Sequence, residues 1–315
     1  MTNKKILITG ITGFIGGYLS SRLLKEEGYE LFGLCLEEPK NPKLNIQYHL
    51  GDLFNFERIK EIIDEIKPNI IIHLAAQTEV EKSFYDPIDF QKTNYNGTVH
   101  LIEAAKDSGD LELFIFASTM ETYGAVPEDL WQPFTELTPQ FPNAPYAVAK
   151  VGCEYYIKYA GRAYGFPYCI LRQANTYGRK DNDFFVVEQI ITQMLKNPKE
   201  INLGYADPIR NFTFIDDLID FYLEILKNPS QVNNEIFCTG EDNALSIKEL
   251  VSKIADKLKW KGKINWNTKP KRVGEIYYLN SSCEKAKRIL GWSPKINLDE
   301  GLDRVIKIWK QNLGL

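Results

Sequence analysis

Tyr146 and Lys150, in the run Asn143-Ala-Pro-Tyr146-Ala-Val-Ala-Lys150, are a phenol and an ammonium four residues apart. Asn143 suits a helix cap and Pro145 a first turn, so a helix starting here carries both side chains on one face, one turn apart. A fixed positive charge beside a phenol of pKa about 10 favours the ionised form, which would let Tyr146 accept a proton near neutral pH. Upstream, Ser118-Thr119-Met120-Glu121 sets hydroxyls and a carboxylate at the end of an apolar stretch. A base for a hydroxyl proton and a donor that fixes an oxygen, here Tyr146 and Thr119, are the protein's share of alcohol oxidation, provided that a hydride acceptor is bound.

Residues 4–9 read as a short buried strand, after which Gly10-Ile-Thr-Gly13-Phe14-Ile15-Gly16 opens an amphipathic helix that continues through Leu19, Leu23 and Leu24. Strand, glycine turn and helix N-terminus present backbone N–H groups to a pyrophosphate with no side chain in the way. They predict a dinucleotide site built on Gly10, Gly13, Phe14, Ile15 and Gly16. A second strand, 30–36, leads to Glu37, whose carboxylate can accept hydrogen bonds from an adenosine ribose and repels a 2′-phosphate, so NAD is expected rather than NADP. A third strand, 46–50, runs into Gly51-Asp52-Leu53, where Asp52 either faces an adenine amine or caps the next helix. A fourth ends at Leu74-Ala75-Ala76, where the small alanines let a cofactor approach the backbone. The strand 113–116 leads to Thr119, and the helix bearing Tyr146 and Lys150 runs to residue 164.

In this order the glycine turn, Gly51-Asp52-Leu53, His73-Leu-Ala-Ala76, the Ser118-Thr119 strand end and the Tyr146-x3-Lys150 helix resemble the extended short-chain dehydrogenase/reductases. More narrowly, the chain resembles the sugar-nucleotide epimerases and dehydratases over nearly its whole length. The resemblance implies an α/β fold: a doubly wound parallel Rossmann-type sheet over 1–174, rejoined by 212–240, with a smaller α/β C-terminal substrate domain from 175–211 and 241–315. It implies NAD and a nucleoside-diphosphate sugar as ligands, with Tyr146 as the base at C4, Thr119 fixing the oxygen, and Lys150 holding the nicotinamide ribose while lowering the Tyr146 pKa. On the substrate side, Asn175 would meet the diphosphate or the sugar, Arg210 and Arg272 the diphosphate, and Glu275 the nucleoside ribose. A guanidinium suits the phosphate role because it can bind two oxygens at once. Val80, in the irregular segment 78–89, and Arg179, which replaces the proline usual after the Gly178 position, fall on the same side. The resemblance also implies a homodimer through the helices around 94–108 and 146–164.

The fate of an oxidised sugar depends on the residues after Thr119. In similar 4,6-dehydratases the threonine is followed by Asp-Glu or Ser-Glu, where the Glu takes the C5 proton and an acid or water-linked hydroxyl helps to expel the C6 hydroxyl. Met120 cannot donate a proton, whereas Glu121 keeps the base. Simple oxidation or reduction at C4 is therefore expected first, 4-epimerisation second and 4,6-dehydration third. The chain looks closer to enzymes of GDP-mannose-type sugars, hexose or heptose, than to those of dTDP-glucose. A non-catalytic NAD(P)-binding regulator on the same fold is the reading from a different class. Such proteins commonly lose the Tyr or the Lys, and this chain keeps both.

Composition narrows the partners. With 38 basic and 42 acidic residues among 315, the net charge of -4 gives no general footprint for nucleic acid or an anionic membrane. The N-terminus runs directly into an apolar strand and no apolar run reaches ~18 residues, which predicts a soluble cytoplasmic protein. Five scattered cysteines fit a reducing compartment, and three dispersed histidines with no His/Cys cluster leave no expected metal site.

Overall fold

Strands β1 (Lys4–Thr9), β2 (Tyr29–Cys35), β3 (Ile46–Leu50), β4 (Ile70–His73), β5 (Leu113–Thr119) and β6 (Tyr168–Gln173) form one sheet with the later strand Glu235–Cys238. The order is Glu235–Cys238, β6, β5, β4, β1, β2, β3, with every neighbouring pair parallel. The computed structural model describes residues 3–241, 244–268 and 274–315. Successive side chains of β1 feed opposite layers. Ile6 and Ile8 pack in one core with Leu19 and Leu23, whereas Leu7 packs in the other with Ile59, Ile62 and Leu101. A strand covered on both faces must be apolar at consecutive positions, and Ile6, Leu7 and Ile8 all have 0% exposure. This is the doubly wound parallel sheet that the resemblance implies.

The crossovers are α1 (Phe14–Leu23), α2 (Phe56–Ile66), the short α3 (Val80–Ser83) and α4 (Pro87–Phe90), α5 (Gly97–Ala105) and α6 (Pro145–Tyr164). Ile59, Ile62, Ile63 and Ile66 form the buried stripe of α2, which Asn55 caps by accepting from Arg58 N at 3.2 Å. Pro145 stands in the first turn of α6 and Gly165, at φ +68, ends it. Asn143 is not the cap. Ala144 holds that position without a side-chain bond, and Asn143 Nδ2 donates instead to Gly274 O at 2.7 Å. The helix expected from residue 94 begins as a π-helical segment, Gln91–Asn96, before α5. Within it, Asn94 exchanges two hydrogen bonds with the Gln77 backbone, tying the turn to the loop after β4.

After β6 the chain leaves the sheet. The strand Asn175–Tyr177 pairs with Phe212–Phe214, Glu200–Asn202 pairs with Lys263–Asn265, and Ile209–Arg210 lies between Leu245–Ser246 and Tyr278–Leu279. Between these run α7 (Val186–Lys196) and α8 (Ile215–Lys227). Leu218 and Phe221 of α8 share a core with Leu19 of α1, so the chain returns to the sheet before Glu235–Cys238 joins β6. All five cysteines are buried and none forms a disulfide. Among the described residues, no helix is long and apolar enough to cross a membrane and no group of three or more His, Cys, Asp or Glu could hold a metal ion.

Candidate active site

The strand order reverses between β1 and β4, where open α/β sheets bind their ligands at the carboxyl ends of the strands. A cavity of about 1610 Å³ lies there, extending to the C-terminal segments. A single small-molecule site takes roughly 300–1,000 Å³, so this one has room for two ligands.

Its floor is the glycine turn. Gly10 lies at φ +66, and a Cβ on it would sit 2.8 Å from Ala75 N; a Cβ on Gly16 would sit 2.4 Å from Gly10 O. The turn closes only without these side chains. Gly13 caps α1 with no side-chain bond, leaving the first N–H groups of that helix for an anion. Phe14 and Ile15 line the cavity with the three glycines, as do Leu74, Ala75 and Ala76 after β4. Asp52 and Leu53 line it too. Asp52 accepts from Phe54 N at 2.9 Å in a turn, while the cap of α2 is Asn55. Glu37, expected at the cofactor ribose, is not among the residues that line the cavity. Leu34 O and Cys35 O accept from Gly10 N and Gly51 N, the strand ends at Cys35, and Glu37 lies two residues beyond, exposed. Cys35 and Leu36 take the lining position.

Tyr146 and Lys150 rise together from α6, both buried. Thr119 Oγ1 accepts from Glu121 N at 3.2 Å. Thr119, Glu121, Tyr146 and Lys150 all line the cavity. Burial pushes the phenol pKa up, the Glu121 carboxylate pushes it further, and the Thr119 hydroxyl opposes both. Lys150 is not among the groups that shift the phenol. Lys150 Nζ donates to Ala117 O at 2.7 Å and stands 4.6 Å from the centre of the Phe116 ring, so its charge is engaged with β5. Burial brings Lys150 itself down to about 8. Met120, between the two polar residues, is 1% exposed and packs with Tyr123, Val126, Phe134 and Cys238. The single turn Met120–Thr122 sends its side chain under the strand end, where Sδ lies 3.7 Å from Asn175 Nδ2.

On the far side, Val80, Asn175, Arg179, Arg210 and Glu275 line the same cavity; Arg272 lies outside the described residues. Arg210 donates Nη1 to Ile209 O at 2.9 Å and Nη2 to Ile276 O at 2.7 Å, and lies 3.9 Å from Glu275 Oε1. Two side chains expected on different parts of a ligand are thus an ion pair.

A family model described as GDP-mannose 4,6 dehydratase matches residues 7–305. The chain belongs to this family. The dTDP-D-glucose 4,6-dehydratase of Mus musculus is 28% identical, over 98% of this chain and 89% of its own. A putative UDP-glucose 4-epimerase of Methanocaldococcus jannaschii is 31% identical over 98% and 99%. Among solved structures, the UDP-glucuronic acid 4-epimerase of Bacillus cereus, in complex with UDP-glucuronic acid and NAD, matches with a TM-score of 0.87 at 27% identity, covering 98% of this chain and 99% of its own. The kinship with sugar-nucleotide epimerases and dehydratases, expected from motif order, is shown.

For this member of the GDP-mannose 4,6 dehydratase family, the cavity also holds residues that motif reading passes over. Lys43 donates to Gly17 O, Ser20 Oγ and Ser21 Oγ at 2.7–2.9 Å, fastening the loop after β2 to α1. Phe185 and Glu188, at the start of α7, face Arg179. Their signal was available: Glu188 interrupts the apolar run Phe184-Phe-Val-Val-Glu188-Gln-Ile-Ile, and an acid on the apolar side of a helix needs a partner.

Proposed function

We propose that this chain oxidises and reduces C4 of a nucleoside-diphosphate sugar with NAD, Tyr146 moving the hydroxyl proton. The observation that carries this reading is that Thr119, Tyr146 and Lys150 line one cavity with the glycine turn. The cradle at Gly10 and Gly16, which a Cβ would fill, fits a dinucleotide, and the Bacillus cereus neighbour binds NAD. When bound, NAD supplies the hydride acceptor and a positive charge. Thr119 fixes the C4 oxygen. As the acid of the reducing direction, the buried phenol already holds its proton; as the base of the oxidising direction, it is helped by the Thr119 hydroxyl, which favours ionisation. Lys150 keeps α6 against β5 and reaches the cofactor ribose, with Asp52 at the adenosine end. Asn175 and the Arg210–Glu275 pair, on segments 175–211 and 241–315, serve the sugar nucleotide together with Val80 of α3. A homodimer through α5 and α6 belongs to this reading, with Val148, Tyr155 and Tyr159 exposed along α6.

The second reading is 4-epimerisation, in which the C4 ketone is reduced from its other face. The epimerase relatives with full-length coverage support it. Dehydration ranks third, because Met120 sits in an apolar cluster and brings no acid to C6. The test is incubation with UDP-glucose, dTDP-glucose, UDP-glucuronate, GDP-mannose and GDP-heptose, followed by mass spectrometry and NMR. Loss of two hydrogens means net oxidation; an unchanged mass with a new NMR spectrum means epimerisation; loss of water overturns the ranking. Absence of turnover with NAD binding retained would favour the NAD(P)-binding regulator. Tyr146→Phe is expected to lower turnover by roughly 10²–10⁴-fold with NAD affinity retained; full activity in that variant would remove the proposed proton step.

A further inference from the structure

We infer that Arg179 is a ligand to the pyrophosphate of the dinucleotide, a role that rests on the cofactor reading above. Its guanidinium is held between two rings: Cζ lies 4.2 Å from the centre of Phe14, the first residue of α1, and 3.7 Å from that of Phe185, the N-cap of α7. The side chain is only 12% exposed, yet it lines the cavity. Nη1 donates to Thr176 O at 2.6 Å and lies 3.8 Å from Glu188 Oε2. A guanidinium has five N–H donors, and rings against its flat faces leave only its edge for further partners. Burial lowers its pKa to about 10, so it is charged at neutral pH. A nearly buried cation with donors left over at the wall of a cavity calls for an anion with several acceptor oxygens.

Glu188 aims this group more than it neutralises it. Its Oε1 accepts from the backbone N–H of Gly178 at 2.8 Å and of Arg179 at 2.9 Å, which fixes the loop. The second bond exists only because residue 179 is not proline. The arginine therefore arrives with its own support, nine residues away in sequence but in contact. Two diphosphates could reach this cavity, the cofactor's and the sugar nucleotide's. Phe14 favours the first, because it heads the helix whose free N–H groups receive the pyrophosphate.

Calorimetric titration of the full chain with NAD, ADP-ribose, adenosine, UDP and GDP separates the possibilities. Arg179→Ala is expected to weaken NAD and ADP-ribose by about ten- to a hundredfold and to leave adenosine, UDP and GDP unchanged; Arg179→Lys should recover part of the loss. Unchanged NAD affinity would overturn the inference, as would weakened UDP or GDP with intact NAD, which would give the arginine to the sugar nucleotide. An equal loss for adenosine would indicate a collapsed pocket and overturn it too. Since Arg179→Ala strands the buried Glu188 carboxylate, Arg179→Ala/Glu188→Gln is the folded control: NAD affinity must stay low in it, and its return to the wild-type value sinks the inference. If the wild-type chain binds no NAD, the cofactor reading itself fails.

Discussion

His73, the last residue of β4, makes the stability of this protein depend on pH. Its ring is 1% exposed, with Nδ1 2.7 Å from Thr9 Oγ1 and Nε2 2.9 Å from Thr98 Oγ1. Thr98 already donates its hydroxyl proton to Asn94 O at 2.6 Å, so it must accept from Nε2–H, and Nδ1 must accept from Thr9. Thr9 in turn accepts from Ala75 N at 3.1 Å. A second ring proton would point at the Thr9 hydroxyl and displace the hydrogen that now serves Nδ1. Burial and the nearby Lys150 charge oppose it as well, bringing His73 down from 6.5 to about 3. The folded state thus keeps the ring neutral while the unfolded chain takes up a proton as pH falls below 6.5. Stability from this group is complete above that pH and is lost progressively toward 3. At pH 5 the loss is about 2 kcal/mol, from 1.36 kcal/mol per unit over about 1.5 units. Urea unfolding at pH 7 and pH 5 measures it. In His73→Gln, the difference between the two pH values should shrink by about 2 kcal/mol relative to wild type, even though the lost hydrogen bonds lower stability at both. Equal pH dependence in the two proteins would show that His73 is not held neutral. The network ends on Ala75 and Asn94, both tied to loops that line the cavity, so the same variant should weaken NAD binding at pH 7.

Neighbouring glycines of α1 should respond oppositely to alanine. In Gly16→Ala the Cβ meets Gly10 O at 2.4 Å and Ile11 Cα at 2.6 Å, backbone atoms that cannot rotate away, so a loss of about 1–3 kcal/mol and weaker NAD binding are expected; at Gly17 nothing lies within 4 Å, and alanine should be neutral or stabilising by up to about 1 kcal/mol. Thermal melting that showed the reverse order would remove the steric account of the turn. Glu154, fully buried one turn beyond Lys150, accepts from Ser118 Oγ at 2.6 Å, Arg172 Nη2 at 2.8 Å and Gln140 Nε2 at 3.0 Å. Glu154→Leu strands the Arg172 guanidinium and should cost about 3–5 kcal/mol, most of it recovered in Glu154→Leu/Arg172→Met; if the single variant melts like wild type, the pair does not hold β6 to α6.

Much of this architecture is legible without coordinates because it depends on requirements that few residues satisfy. Consecutive apolar residues at Ile6, Leu7 and Ile8 fit only a strand covered on both faces, and the glycines after it stand where backbone must touch backbone. Features that depend on what another element does at its end are not legible. Glu37 lies beyond the cavity lining because β2 ends at Cys35, a matter of register that no spacing rule reports. Lys150 is four residues from Tyr146, but which way its ammonium turns is decided by Ala117 O and the Phe116 ring on β5. Met120 has the right position for a catalytic acid and the wrong direction, because the turn Met120–Thr122 buries it. Arg179 and Glu188 show the opposite case. Each is odd by itself, a charge where proline is usual and an acid in an apolar helix, and each oddity is resolved by the other across one loop. Two unexplained charges of opposite sign near one strand end are therefore better read as a pair serving a ligand than as two separate departures from a pattern.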